Sequence, residues 1–128
     1  MQDPPTPPEL LSAVAKFMRT PVPPEAAPHA AFITRVAANG LDIARRELEN
    51  APADNAAELV RLRAVLGSQS HDLEALNREL CTKLEAGELT LATPGVKDHL
   101  WAVTMAKLAV DQPNYSGYRA ALAERPAP

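Results

Sequence analysis

Residues 32–48 read FITRVAANGLDIARREL, and the reading of that stretch decides the fold. At about 100° per residue, Phe32, Val36, Gly40, Ile43 and Glu47 fall within one sector of roughly 80°, while Arg35, Asn39, Asp42 and Arg46 line one flank of it. An apolar seam with a polar edge at this period predicts an amphipathic helix, and it is expected to be the central one. Gly40 is the odd member of the seam. Glycine inside a helix costs about 1 kcal/mol against alanine, so a compensating close approach of a neighbouring helix is expected there.

Upstream, Thr6, Pro7 and Glu9 form a capping-box start with proline at the first helical position. A helix is expected from Pro7 to Arg19, with Leu10, Leu11, Val14, Phe17 and Met18 on one face. Pro21, Pro23, Pro24 and Pro28 then restrict themselves and the residues before them. They predict a rigid linker, in preference to a polyproline recognition segment. The central helix is expected from about His29 to Glu49, ended by Pro52.

Downstream, Asn55 with Glu58 repeats the capping-box pattern and predicts a separate helix to Leu66, stopped by Gly67. Leu73, Leu76, Leu80 and Leu84 then recur at helical intervals, with His71 and Asp72 before them as capping residues and Gly87 behind as a stop. Cys81, on the shoulder of this stripe, reads as a buried inert thiol. Thr93 and Pro94 are expected to open a last long helix that ends near Asp111. It has two apolar sides: Val96, Leu100, Val103 and Val110 on one, Trp101, Met105 and Leu108 on the other. A helix apolar on both sides is either central to its own core or shared with a partner. The sum is an all-α, single-domain bundle of about five helices with short loops. Residues 1–6 are expected to be disordered, 7–118 to form the bundle, and 119–128 to be a short helix or a disordered tail.

The totals narrow the function. At 128 residues, with 46 % hydrophobic and only 4 % aromatic residues, the chain has the length of one domain with an aliphatic core. A net charge of −3 with interspersed signs provides no basic track for nucleic acid. No apolar run approaches the roughly 20 residues that span a bilayer. The start MQDPPTPPEL lacks the basic and apolar regions of a signal peptide, and the lone Cys81 has no disulfide partner; a cytoplasmic location is expected.

No motif for catalysis, phosphate binding or metal stands out. His29, His71 and His99 lack second ligands at helical spacing. No cofactor or metal is expected. Glu47, in the apolar seam, calls for a cation, and Lys107 on the last helix is the candidate. An acid/base role for that pair is the weakest of the functional readings. Arg35, Asn39, Asp42 and Arg46 read as a solvated edge with pairs such as Asp42 with Arg46, or as a docking surface. Trp101, Met105 and Leu108 are core or a contact face, since tryptophan and methionine are enriched at interfaces.

The order of these pieces resembles a bacterial family of small helical proteins classed as a domain of unknown function. Its members open with a PTxxELLxAVxxFLR-like helix, continue with RVAAN and a later EREL, then an LxxLN helix and a KLAxxNPxY-like segment. The counterparts are Pro7 to Arg19, Arg35 to Asn39 with Arg46 to Leu48, Leu73 to Asn77, and Lys107 to Tyr115. Two departures are Ile33, where the family commonly has histidine, and Gln112, where it has asparagine. The resemblance implies a companion of aminoglycoside-phosphotransferase-like kinases and acyl-CoA dehydrogenases. In that setting the chain is expected to be a non-catalytic accessory subunit of a kinase acting on hydroxyacyl-CoA substrates. Arg35, Asn39, Asp42, Arg46, Trp101, Met105, Leu108 and Tyr115 are its candidate contact residues. A stand-alone binder of an acyl or CoA-type ligand is the alternative, and a second copy of the chain is the alternative partner.

Overall fold

The computed structural model describes residues 4–21, 23, 25 and 27–124, and the side chains of all of these except 19, 27, 28 and 31. Five helices follow one another: α1 (Pro7–Arg19), α2 (Ala27–Leu66), α3 (Leu73–Glu85), α4 (Val96–Asp111) and α5 (Ser116–Glu124). The all-α expectation holds, with no strand among the described residues. Contacts divide the chain into two compact units, Gln2–Asn50 and Ala51–Pro128, so α2 contributes to both. The readings of residues 1–3 and 125–128 as disordered, and of part of the Pro21–Pro28 linker, lie outside the described residues.

In the N-terminal unit, α1 starts as its sequence requires. The Glu9 carboxylate accepts from the Thr6 backbone N–H at 2.6 Å and from the Thr6 hydroxyl at 2.9 Å. These bonds, the backbone one first, hold the Glu9 carboxyl below the usual carboxylate range. Among the described side chains of α1, Val14 is the buried one, and it comes down on Gly40. A methyl group built on Gly40 would lie 3.2 Å from Val14 Cγ2, so the expected close approach is present. Ala44, one turn further along α2, is fully buried.

The rest of the expected seam is corrected. Phe32 is 61 % exposed and Val36 is also exposed, while Ile43 and Glu47 are half-buried. The face of α2 turned to α1 instead carries Ile33, Ala37 and Leu41. The reason is steric. A helix can come closest where glycine and alanine strip away the side-chain layer, and Ala37, Gly40 and Ala44 lie on that side of the apolar stripe.

Pro52 does not end the central helix: α2 runs 40 residues with Pro52 inside it. An interior proline costs about 3 kcal/mol through one lost hydrogen bond and a clash with the preceding turn. Burial offsets that, because Leu62 of α2 is completely buried with Leu76 and Leu80, while Leu59, Val65 and Leu66 pack against the same core. Each fully buried aliphatic side chain is worth about 1.5–3 kcal/mol. The expected helix start at Asn55 is therefore absent, and Glu58 has another role. The count of five survives because α5 replaces the lost break.

The C-terminal unit packs α3 as its leucine stripe predicts, with Leu73, Leu84, Leu89 and Leu100 of α4 around the same cluster. Asp72 caps α3 by accepting from the Ala75 N–H at 2.9 Å. Gly67 stops α2 with φ 64°, and the Ser68 N–H reaches back to the Arg63 carbonyl at 3.2 Å, a Schellman-type closure. Helix α4 starts at Val96, after Gly95, and not at Thr93. Thr93 is used earlier, its hydroxyl accepting from the Thr90 N–H at 3.0 Å. Cys81 is exposed, which corrects the buried-thiol reading; it lies about 100° round α3 from Leu80. No described helix is long and apolar enough to cross a membrane.

Candidate functional site

Helix α4 presents two chemically different sides, two residues apart. Val96, His99 and Val110 are buried, His99 at 1 % exposure, whereas Trp101 is 60 % exposed. Two positions turn a helix by about 200°, so one face holds the unit together and the opposite one is presented outward. Met105 and Leu108, which share the Trp101 side, are half-buried. The expected second apolar face of this helix is therefore present, with its tryptophan uncovered.

Behind the inward face is a buried polar cluster drawn from three helices. Glu58 of α2 is 3 % exposed, and its carboxylate accepts from the Asn77 side-chain amide of α3 at 2.6 Å. The Asn77 amide also donates to the Leu73 carbonyl at 3.1 Å. His99 of α4 and Arg61 of α2 complete the group. Burial pushes the His99 imidazole below the usual histidine range, Arg61 pushes it the same way, and Glu58 opposes them. His99 Nδ1 and Arg61 Nε are both buried without a hydrogen-bond partner, an arrangement native interiors rarely tolerate.

The sequence reading named Glu58 as a capping residue, His99 among the histidines and Asn77 at the end of a motif, but placed none of the four in a site. The signal for His99 was there: it falls in the Val96, Val103, Val110 stripe at helical period. Glu58 was masked by its capping-box pattern.

Arg35, Asn39 and Asp42 are exposed and Arg46 is half-buried. Asp42 pairs with Arg45 at 3.7 Å, and Arg45 also bonds Glu49 at 2.7 Å. Glu47 and Lys107 are each half-buried, the first in the N-terminal unit and the second in the C-terminal one. Tyr115 is exposed, and its ring lies so close over Gly117 that a side chain there would collide with it.

The N-terminal unit has a cavity of its own, of about 480 Å³, between α1 and the first half of α2. Phe17, Met18, Ile33, Ala37 and Leu41 give it an apolar lining. Its two hydroxyls are already used, Thr20 donating to the Lys16 carbonyl at 3.1 Å and Thr34 to the Ala30 carbonyl at 2.8 Å. No group of three metal-type ligands occurs among the described residues.

Five described helices, with an outward tryptophan and a buried polar cluster in the C-terminal unit and an apolar groove in the N-terminal one, define a small all-helical protein. The family model for DUF6285, a domain of unknown function, matches residues 24–115. The chain belongs to that family. No curated protein and no solved structure matches it.

Proposed function

We propose that this chain is a non-catalytic partner subunit, docking through the outer face of α4. The observation that supports this reading is Trp101, 60 % exposed on a helix whose other side buries Val96, His99 and Val110. A large aromatic left in water next to the half-buried Met105 and Leu108 has the composition of an interface centre. The partner is taken to be a kinase of the aminoglycoside-phosphotransferase type acting on hydroxyacyl-CoA substrates, with ATP and magnesium handled by that larger subunit. That choice rests on the motif resemblance of Pro7 to Arg19, Arg35 to Asn39, Leu73 to Asn77 and Lys107 to Tyr115. The test is co-expression with such a kinase from the same genome, with its turnover measured with and without this chain. A stable complex and a raised kinase rate support the proposal. A kinase that neither binds nor responds rejects it.

A second reading has its own observation, the apolar cavity between α1 and α2. Because its hydroxyls donate internally, the groove suits an unbranched acyl chain, with no built seat for a polar head among the described residues. A rise in melting temperature of the isolated chain with short acyl-CoA thioesters supports ligand binding. Stabilisation that requires the kinase favours the partner reading.

A further inference from the structure

The geometry points to His99 as a proton-operated latch: when its buried ring takes up a proton, α4 loosens its hold on α2 and α3. The imidazole is 1 % exposed, and its Nδ1 has no acceptor in reach. With both ring nitrogens protonated, the Nδ1–H would be a buried donor with nothing to donate to, and the new charge would be shut away from water.

The surrounding charges do not rescue it. From α2 the ring meets Glu58, which favours the proton, and Arg61, which opposes it. The Glu58 carboxylate is already engaged by the Asn77 amide at 2.6 Å. Asn77 is the α3 side chain in this cluster, and it is uncharged. Of the charged residues of α3, Glu74 pairs with Arg78 and Glu79 with Lys83 along the helix, and Glu85 is exposed. Lys97 and Asp98 beside His99 on α4, and Arg119 and Glu124 on α5, are exposed.

The sign follows from linkage. The folded ring binds its proton more weakly than a histidine in open chain, whose ordinary value is 6.5. Stability is complete above that value and falls as pH drops toward the lower, folded value. Over that window each pH unit raises the opened population by up to about tenfold, for one proton taken up on opening. The latch acts on the free chain, whatever covers the outer face of α4. Because Trp101 rides on the same helix, acidification would reshape that face too.

The test is hydrogen exchange of the α4 amides at pH 7.5 and 5.5, corrected for intrinsic exchange and read as an opening constant. The native chain is expected to open severalfold to tenfold more at pH 5.5, and His99→Gln to show little of that change. An opening constant for α4 that is equal at the two pH values overturns the latch, as does an unaltered change in His99→Gln. Should that variant fail to fold, an NMR titration of the native His99 ring decides. A ring that stays neutral to well below 6.5 supports the latch, and one that protonates at or above 6.5 overturns it.

Discussion

Asn77 of α3 donates its side-chain amide to Glu58 of α2 at 2.6 Å, nineteen positions away in the chain. This bond ties two helices through a carboxylate that is only 3 % exposed. Removing the donor leaves part of a buried charge unsolvated, at a cost of about 1–3 kcal/mol or more. Asn77→Ala is therefore expected to lower the unfolding free energy, read from urea denaturation, by that amount. A loss below about 0.5 kcal/mol, the level of ordinary surface substitutions, would mean that Glu58 is satisfied without Asn77.

Gly40 and Val14 make the corresponding contact in the N-terminal unit. Alanine at position 40 gains about 1 kcal/mol of helix propensity but puts its methyl 3.2 Å from Val14 Cγ2. Much of the gain is expected to vanish in the native background and to return when Val14→Ala removes the obstructing group. A double-mutant cycle reads this directly. Additive effects would show that α1 does not press on Gly40.

Pro52 gives a test of helix continuity. Within an unbroken α2, Pro52→Ala restores a backbone donor and removes a steric clash, so stability should rise by up to about 3 kcal/mol. A gain near zero in thermal or urea unfolding would place a helix end at this residue after all.

The helical periods were legible in the sequence, and so were three local stops and caps whose partners lie within a turn or two: Thr6 with Glu9, Asp72 with Ala75, and Gly67 with Ser68 and Arg63. What could not be read was which of two competing faces of a helix would be used. Phe32 and Val36 form the better hydrophobic seam by composition, yet backbone approach at Gly40 and Ala44 turned the buried side of α2 away from them. Pro52 failed as a terminator for a related reason. Its local penalty is fixed, but the opposing burial of Leu62 comes from α3, which no window around position 52 contains. The polar cluster was illegible as a set because Glu58, Asn77 and His99 come from three helices. Each alone had an ordinary explanation.

The Glu9 cap predicts a local acid sensitivity at the start of α1. Its carboxyl titrates below the ordinary 4.5 because the charged form accepts two bonds from Thr6. The cap is complete above that value and is lost as pH falls through the lower folded value. The Thr6 amide resonance should shift over that lower range and follow Glu9, while Glu9→Gln should abolish the acid-dependent shift. An unshifted Thr6 resonance down to pH 2 would show that the carboxylate does not reach back.

Trp101 and Leu62 provide the sharpest contrast between a residue that holds the fold and one that is offered outward. Leu62 is completely buried in the α2–α3 core, so Leu62→Ala should cost about 2–5 kcal/mol through lost burial and the cavity left behind. Trp101→Ala removes a larger side chain, but 60 % of it is already in water. Its cost to the free chain should stay below that of Leu62→Ala, on the order of 1 kcal/mol. Binding should reverse the order. At the centre of a partner interface, loss of a tryptophan weakens association by about 2 kcal/mol or more, some thirtyfold in Kd. Isothermal titration against the kinase proposed as partner, beside urea unfolding of each variant, separates the two roles. A Trp101→Ala protein as unstable as Leu62→Ala would make Trp101 a structural residue, and unchanged affinity for the partner would remove the α4 face from the interface.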